Sequence, residues 1–321
     1  MQSEKYCYTD LQQIANGAFG IVSRAVQRDI LNQKPIQTVA IKQVSYKEQT
    51  DRNPIGADPD LEIQQMQNCT NQNVIRLLDS FADENYTYII MQYHPVSLQN
   101  IMFPQLPLRV VQTIMHQVFC GINAINSRHT AHRDIKPSNI MISRTGVLQI
   151  ADFGQATSDF EQTNNCGTRI YRAPESLLSA KFNEKVDVFS AGLIVFELVA
   201  GRPLFTASSE IELITQQNAI LGPFEGVLAL EQSADWPKIL LESGWEKGEK
   251  LREILQNVSD DSDFKELILG CLDCDSETRW TAEMCMDSNF CAKRGQGSLI
   301  QRFLYYQDAN SVNGRILGGV D

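Results

Sequence analysis

Long apolar runs, a leader segment and repeats are all missing from this sequence. No stretch of about 18 apolar residues occurs, so we expect no transmembrane helix. The N-terminus has no basic segment followed by an apolar run, so we expect no signal peptide. Neither an internal repeat nor a low-complexity tract is visible, which argues against a repeat architecture. We therefore expect a location in the cytoplasm, the nucleus or both.

Positive charge is also scarce. The 321 residues include 28 lysines and arginines against 39 aspartates and glutamates, which gives a formal net charge of -11. Such an acidic surface disfavours nucleic acid and anionic membranes as partners and suits a basic protein partner better. Apolar residues make up 43% of the chain, which is enough to bury the core of one large domain or one two-lobed unit.

The eight cysteines show no metal-binding spacing. Cys271 and Cys274 are the closest pair, and no second C-x-x-C follows them. Cys271 also lies in an apolar run, which favours a buried helical thiol over a zinc site. Without a secretion signal, we expect all the cysteines to be free thiols in a reducing compartment.

The first ninety or so residues predict a sheet with one helix. Alternating and β-branched apolar residues indicate the strands, and a glycine turn separates the first two. Asp58 is a candidate N-cap, and Pro59 fits the first turn of the helix that follows. The predicted strands cover 6–14, 21–27, 38–44, 74–81 and 86–93, and the predicted helix covers 61–69.

Beyond residue 95 the pattern becomes helical. Apolar residues between 108 and 125 recur at three- and four-residue spacing, which predicts one long helix. Residues 186–200 are apolar on nearly all sides, so we expect this helix at the centre of a larger helical unit. After Arg294 the sequence predicts a strip packed on the surface, followed by a frayed terminus.

A glycine turn at 14–22 is the first of five chemical signatures. Gly17 and Gly20 would let backbone N–H groups approach a triphosphate, which side chains at these positions would block. Ala15 stands where the usual pattern has its first glycine. An ordinary hairpin turn is the better explanation when this segment is taken alone.

The second signature is a lysine inside a buried strand, in the sequence VAIK at 39–42. Burying an ammonium is costly unless its charge is used. Lys42 could bind the α- and β-phosphates while Glu62, on the predicted helix, holds it by an ion pair. For this motif alone, a lysine that extends from an edge strand into water is the favoured alternative.

Acidic and amide side chains supply the third and fourth signatures, HRDIKPSN at 132–139 and DFG at 152–154. Asp134 can accept the proton of a substrate hydroxyl and orient it for in-line attack. Lys136 can neutralise charge that develops on the γ-phosphate. Asn139 and Asp152 offer the hard oxygen ligands that Mg²⁺ prefers.

The fifth signature, APE at 173–175, completes an order of motifs that resembles the eukaryotic protein kinase family over nearly the whole chain. The resemblance implies an α+β, two-lobed fold: a small antiparallel β-sheet lobe with one helix, and a larger, mainly helical lobe. It also implies a buried ion pair between Glu175 and Arg279. Asp187 would brace the catalytic loop.

The resemblance assigns domain limits, cofactors and site residues as well. Residues 1–91 would form the N-lobe, 92–97 the hinge, 98–294 the C-lobe and 295–321 a C-terminal tail. ATP and Mg²⁺ are the implied cofactors, and a protein serine or threonine is the implied acceptor. The hinge backbone would bind adenine. The implied residues are catalytic Asp134 and Lys136, metal-binding Asn139 and Asp152, and nucleotide-binding Ile14, Gly17, Gly20, Val22, Ala40, Lys42, Glu62, Met91, Gln92, Tyr93 and His94.

Within that family, YRAPE at 171–175 is similar to the group of cyclin-dependent and mitogen-activated kinases, and so are LGP at 221–223 and WP at 236–237. Spacing after Glu62 is similar to that of cyclin-dependent kinases. However, Asp60 replaces an apolar anchor of their cyclin-binding helix, which argues against a cyclin partner. Ala18 and Phe19 at the tip of the glycine loop carry no hydroxyl for inhibitory phosphorylation.

The arginines that normally bind the activation-segment phosphate are also reduced. Only Arg133 remains, because Leu61 and Thr157 occupy the other two positions. We therefore expect Thr163 to be an unmodified loop threonine. Gly167 indicates no strict requirement for proline after the target residue, although Arg172 is typical of proline-directed relatives.

The sequence lacks the residues for cyclin binding, inhibitory phosphorylation and activating phosphorylation, but it keeps every catalytic residue. This combination predicts a monomeric enzyme that is always active. This combination resembles the fungal single-subunit type of cyclin-dependent-kinase-activating kinase, whose substrate is the activation threonine of a cyclin-dependent kinase. Two alternatives remain open. One is a kinase of the same group that an unidentified partner activates, and the other is a pseudokinase scaffold that binds partners without phosphoryl transfer.

Overall fold

The computed structural model describes residues 1–17, 20–45, 58–102, 106–161, 167–224 and 246–310. Ala18, Phe19, Thr163 and the WP pair at 236–237, which the sequence analysis singled out, lie outside the described residues. Within the described ranges, no helix is long and apolar enough to cross a membrane.

Five antiparallel strands form the N-terminal sheet, in the spatial order β1-β2-β3-β5-β4. Residues 74–76, expected as part of a strand, lie outside it. Ile75 instead donates its backbone N–H to the Ile150 carbonyl, at 2.8 Å, in the helical part of the molecule. The strands are β1 (Tyr6–Gly17), β2 (Gly20–Asp29), β3 (Pro35–Ser45), β4 (Leu77–Ala82) and β5 (Tyr86–Gln92).

Alternation along β3 decides which side chains face the rest of the molecule. Val39 and Ile41 point to one face, where they join a small apolar cluster with Tyr8, Tyr88 and other strand residues. Residues 40 and 42 point to the opposite face, since successive side chains of a strand alternate. The lysine of VAIK therefore faces the space between the sheet and the helical part.

One helix, α1 (Pro59–Asn68), accompanies this sheet. Asp58 caps it, because its side chain accepts backbone N–H groups of Asp60 and Leu61 at 3.0 and 3.2 Å. Pro59 occupies the first turn, where its missing N–H is not needed. Both sequence expectations are confirmed. The buried face of α1 carries Glu62, Gln65 and Met66.

The remainder of the described chain is mainly helical. A three-stranded sheet of β6 (Val96–Ser97), β7 (Ile140–Ile142) and β8 (Leu148–Ile150) carries the loops that hold the catalytic motifs. The helices are α2 (Leu108–Asn126), α3 (Pro174–Leu177), α4 (Val186–Ala200), α5 (Glu210–Leu221), α6 (Glu249–Val258), α7 (Ser262–Cys271), α8 (Ala282–Met286), α9 (Asn289–Ala292) and α10 (Ser298–Asn310).

Helix α4 lies at the centre of the large apolar core, as its composition predicts. Every residue from Val186 to Val199 is buried, and Gly201 ends the helix with a left-handed φ of 69°. Helix α7 crosses it closely, since a Cβ on Gly192 would lie 2.5 Å from the Cβ of Cys271. The predicted fold class, α+β with a small antiparallel sheet, one accompanying helix and a larger helical part, is confirmed.

The cysteines are free thiols in the described residues. Cys271 is fully buried, with its sulfur 3.5 Å from that of Cys285. No group of three or more metal-binding side chains occurs among the residues that can be placed.

Residues after Arg294 pack more deeply than a surface strip would. They form helix α10, and its Ile300 and Leu304 are 0% and 2% exposed within the large core. The turn between β7 and β8 touches its start, because a Cβ on Gly146 would lie 2.5 Å from the carbonyl oxygen of Gly297. Helix α10 is therefore part of the folded unit up to Leu304.

Candidate active site

A buried lysine joins the N-terminal sheet, helix α1 and the loop after β8. The Lys42 ammonium lies 2.8 Å from both carboxylate oxygens of Glu62 and 2.7 Å from one oxygen of Asp152. The side chains of Lys42 and Glu62 are 5% and 1% exposed, whereas that of Asp152 is 34% exposed. We call these three residues the cleft cluster. Asp152 is its member that remains open to a ligand.

Charge pairing decides the protonation states of the cleft cluster. Burial alone would lower the pKa of Lys42, but the carboxylates of Glu62 and Asp152 outweigh burial and raise it. Burial also opposes ionisation of Asp152, yet Lys42, His132 and Lys136 together lower its pKa. At neutral pH the cluster therefore holds an ammonium beside an ionised carboxylate that can accept a cation.

Asp134 lies in the loop between α2 and β7, and its carboxylate is almost entirely buried. One oxygen accepts the Lys136 ammonium at 2.7 Å and the Asn139 side-chain amide at 2.9 Å. The other accepts the Thr168 backbone N–H at 2.9 Å and the Thr168 hydroxyl at 3.2 Å. The structure thus brings Asp134, Lys136 and Asn139 together and adds Thr168.

Asp187 holds the backbone of this loop. Its carboxylate accepts the backbone N–H groups of His132 and Arg133 at 2.8 and 2.9 Å. Arg133 has a left-handed φ of 62°, which a residue with a Cβ adopts only when its surroundings hold it. Because Asp187 is on the rigid helix α4, the position of Asp134 is tied to the core.

Asn139 and Asp152 offer oxygen atoms suited to Mg²⁺. The nitrogen of the Asn139 amide is used by Asp134, which leaves its oxygen as the atom that can bind a metal. Asp152 has one oxygen at Lys42, a left-handed φ of 70° and a partly exposed side chain. One carboxylate and one amide oxygen suit a hard cation that also binds substrate phosphates, so the residues fit the metal that the sequence implies.

The glycine turn between β1 and β2 requires glycine for a reason that the sequence did not reveal. Gly20 has φ of 125°, and a Cβ there would lie 2.2 Å from the backbone oxygen of Gln43 on β3. Packing within the sheet thus excludes a side chain at Gly20 before any ligand is considered. Ile14 lies at a register shift of β1 and is exposed, and Val22 pairs with Lys42 across β2 and β3.

The residues expected to contact adenine, 91–94, lie at the end of β5 and directly after it. Ala40 pairs with Met91 across β3 and β5, and Met91 is buried. Gln92 and His94 help line a groove of about 720 Å³ together with other residues between 66 and 80 and between 143 and 149, and the His94 ring is hydrogen-bonded to Gln149. Contact with a nucleotide would therefore come from their backbone. Tyr93 lies under the Arg24 guanidinium.

A second buried ion pair lies away from the cleft. Arg279 donates to both oxygens of Glu175 at 2.6 and 3.0 Å, and neither side chain is more than 1% exposed. Arg279 also donates to the Asp273 carbonyl and stacks over the Phe189 ring. We call Glu175 and Arg279 the shelf pair; the resemblance implied this contact, and the structure confirms it.

Sequence reasoning missed Thr168 as a partner of Asp134. No spacing rule connects them, because they are 34 residues apart and Thr168 contributes a backbone N–H as well as its hydroxyl. The partly buried pair of Tyr171 and Glu197, joined at 2.8 Å, was missed for the same reason.

The fold and this arrangement of residues define a protein kinase. The family model described as the protein kinase domain matches residues 8–291, and the chain belongs to this family. It is a protein serine/threonine kinase, and the family uses ATP and Mg²⁺.

Among similar proteins, the mitogen-activated protein kinase p38a of Drosophila melanogaster is 29% identical over 309 residues, which cover 92% of this chain and 81% of that protein. The mitogen-activated protein kinase HOG1 of Hortaea werneckii is 32% identical, covering 69% of this chain and 61% of its own length. The mitogen-activated protein kinase 13 of Bos taurus is 32% identical, covering 67% and 59%. The chain thus spans less than two thirds of the latter two.

These relatives overturn one expectation. The prediction of a kinase that activates cyclin-dependent kinases is wrong, because the similar proteins are named as mitogen-activated protein kinases. The associated role in the cell cycle loses its support with it. Missing switch residues indicate how a kinase is regulated, and they identify no substrate.

Proposed function

We propose that this kinase transfers the γ-phosphate of ATP to a serine or threonine that proline follows, as a signalling kinase of the mitogen-activated type. The observation that carries the transfer is that the cleft cluster lies beside the loop of Asp134 and Asn139, since Ala151, next to Asp152, donates its backbone N–H to the Asn139 carbonyl at 2.9 Å. Names of the relatives support the mitogen-activated type. A monomeric state and a location in cytoplasm or nucleus stay predictions.

Each site residue has a role that follows from its contacts. Lys42, held by Glu62, binds the α- and β-phosphates. Asp134 orients the acceptor hydroxyl and takes its proton. Since both carboxylate oxygens already accept two hydrogen bonds, the acceptor hydroxyl replaces the longest contact, that of the Thr168 hydroxyl at 3.2 Å. Lys136 neutralises charge on the transferred group.

Asn139 and Asp152 would hold Mg²⁺, which when bound with ATP neutralises the phosphate oxygens. Asp187 and the shelf pair touch no reacting atom and keep the loop and its surroundings in place. Ile14, Gly17, Gly20, Val22 and Ala40 line the nucleotide from the sheet, while the backbone at Met91, Gln92, Tyr93 and His94 contacts adenine.

Preference for proline rests on the carbonyl of Gly167. Arg172 donates to it twice, from Nε at 3.0 Å and Nη2 at 2.7 Å, which uses both lone pairs. Gly167 has φ of 80°, and the next residue, Thr168, binds Asp134, so this carbonyl lies beside the acceptor site. A peptide N–H arriving there would remain unpaired, whereas proline has no N–H to pair.

The proposed proline preference departs from the expectation drawn from Gly167 in the sequence, and the geometry of this residue supports the proposal. A Cβ at Gly167 would lie 2.2 Å from the backbone oxygen of Arg133, so glycine allows the left-handed turn that presents the carbonyl to Arg172. Glu210 fixes the guanidinium from the other side at 2.7 Å.

Labelled ATP, Mg²⁺ and two peptides test the proposal. The peptides differ only in proline or alanine after the target serine. We expect label on the proline peptide with kcat/KM about tenfold higher, from one unpaired N–H in the other. Asp134→Asn should abolish label on both. Binding of ATP without transfer by the unaltered chain would favour the scaffold alternative, and equal rates on the two peptides would refute the proline preference alone.

A further inference from the structure

Three uncharged side chains close a hydrogen-bonded ring beside the cleft cluster. Gln65 of helix α1 donates its side-chain amide to the Ser158 hydroxyl at 3.2 Å. The Thr130 hydroxyl donates to the side-chain oxygen of Gln65 at 3.1 Å. The hydroxyls of Thr130 and Ser158 are 3.1 Å apart. Gln65 and Thr130 are 5% and 1% exposed, so the bond between them lies inside the protein, whereas Ser158 is exposed and its two bonds are only partly buried.

The direction of each proton in the ring follows from its neighbours. The Gln65 oxygen, at 3.1 Å, is a nearer acceptor for the Thr130 proton than the Arg128 carbonyl at 3.3 Å, and with that choice the Ser158 hydroxyl donates to Thr130. Each member then donates once and accepts once around the ring. Hydrogen bonds in such a closed sequence polarise one another, which makes the ring stronger than three separate contacts.

The ring connects three segments that each carry a site residue. Gln65 lies one turn after Glu62 on the buried face of α1. Thr130 lies four residues before Asp134, and Ser158 lies six residues after Asp152. The ring therefore links α1 to both loops through side-chain hydrogen bonds.

Helix α1 packs Met66 in the large apolar core and Ile63 against it, and the ring adds polar contacts to this packing. Leu61, on the neighbouring side of the helix, is 37% exposed and offers only an apolar surface. Thr157, next to Ser158, turns its hydroxyl to the backbone N–H of Asp159 at 3.0 Å. Neither side chain carries the positive charge with which an arginine would bind a phosphate between the helix and the loop. The uncharged ring supplies polar contacts between them instead.

The geometry points to Gln65 as a positioning residue, which through Thr130 and Ser158 holds helix α1 where Glu62 orients Lys42 toward ATP. This role deepens the proposed transfer reaction and rests on it. Gln65 touches no reacting atom and acts only through Glu62.

The test compares Gln65→Met with Gln64→Met in the full chain. Methionine keeps the length and helix preference of glutamine and removes both hydrogen bonds. Gln64 is the next residue on the same helix and is exposed, so its substitution is the matched control. Ser158→Ala opens the ring from an exposed residue and avoids disturbing the core.

Kinetics should separate positioning from damage to the fold. We expect Gln65→Met to lower kcat and to raise the KM for ATP, so that kcat/KM for ATP falls about tenfold. The reason is that the buried Thr130 hydroxyl loses its hydrogen bond to Gln65. The KM for the protein substrate should not move. A partly unfolded enzyme would lose kcat with both KM values unchanged. Ser158→Ala should act in the same direction and add little to Gln65→Met, since one break already opens the ring.

Hydrogen exchange gives a readout that does not need catalysis. Amides of α1 should exchange faster in Gln65→Met than in Gln64→Met and the unaltered chain. Equal exchange and equal kinetics in the two methionine variants would overturn the positioning role, as would full additivity of Gln65→Met and Ser158→Ala. If the unaltered chain transferred no phosphate, the proposed function would fail, and exchange would still decide whether the ring holds the helix.

Discussion

The cleft cluster and the shelf pair use the same chemistry for different ends. Both join a cation to carboxylates inside the protein. The shelf pair is sealed, with Glu175 and Arg279 at most 1% exposed and all three guanidinium nitrogens hydrogen-bonded to their neighbours. The cleft cluster has one cation between two carboxylates, and Asp152 is open. A spare, accessible charge therefore distinguishes a pair that can act on a ligand from one that only fixes the fold.

Substitution of Arg279, the buried cation of the shelf pair, should have the largest effect on the free energy of unfolding. In Arg279→Met, Glu175 keeps a buried charge without a partner, and we expect the free energy of unfolding to fall by about 3–5 kcal/mol. Chemical denaturation measures it. Arg302→Met, at an exposed arginine of α10, is the control and should change little. A loss below about 1 kcal/mol would show that the shelf pair does not carry stability.

Removal of the cleft cation should instead affect phosphoryl transfer. Lys42→Met should lower kcat/KM for ATP about a hundredfold, since one preorganised charge at the phosphates is lost. Its effect on unfolding should be smaller than that of Arg279→Met, because Glu62, whose pKa burial raises, can take up a proton. Lys34→Met, in the exposed turn before β3, serves as control. Undiminished transfer would contradict the role of the cleft cluster.

Two isosteric changes sharpen the comparison. Glu175→Gln leaves Arg279 with no carboxylate and should cost about 3 kcal/mol of unfolding free energy. Glu62→Gln leaves Lys42 paired with Asp152 at 2.7 Å and should cost about 1 kcal/mol. Parallel urea titrations give both values. If the two losses were equal, Asp152 would not be sharing the charge of Lys42.

Lowering the pH should produce the smallest effect, a change in the stability difference between the unaltered chain and Asp152→Asn. Lys42 lowers the pKa of Asp152 against the opposing effect of burial, so its folded pKa lies below the unfolded one. A depressed carboxyl pKa gives stability that is present above the unfolded value, about 3.9, and is lost as pH falls through the folded value. The stability gap between the unaltered chain and Asp152→Asn should therefore narrow below about pH 4. A gap that widens there would contradict the sign of the shift.

The sequence predicts the parts of the site whose chemistry is local. Lys42 in a buried strand needs a counter-charge, and the HRD and DFG segments carry their reactive groups within a few residues. The structure forms the expected ion pair of Lys42 with Glu62 and adds Asp152 to it, and it also brings Asp134, Lys136 and Asn139 together. The nucleotide-binding roles remain part of the proposal.

Contacts that depend on tertiary packing were not predicted. Thr168 reaches Asp134 through a backbone N–H, which no residue type signals. Gln65 could have been noticed, because a polar residue one turn from Glu62 on a buried face needs a partner. Its partners Thr130 and Ser158 could not, since neither is charged and both come from distant segments. The proline preference depends on the φ of Gly167, which sequence leaves open.

Burial of helix α10 matters for anyone who expresses this protein in shortened form. The match to the kinase domain ends at residue 291, which suggests a natural place to stop. Ile300 and Leu304 lie beyond this point. A chain that ends at residue 291 would expose the apolar core surface that they cover and would leave the turn at Gly146 without its contact. A fragment whose boundaries are chosen from the family match alone should therefore aggregate. The expressed chain should extend past Leu304.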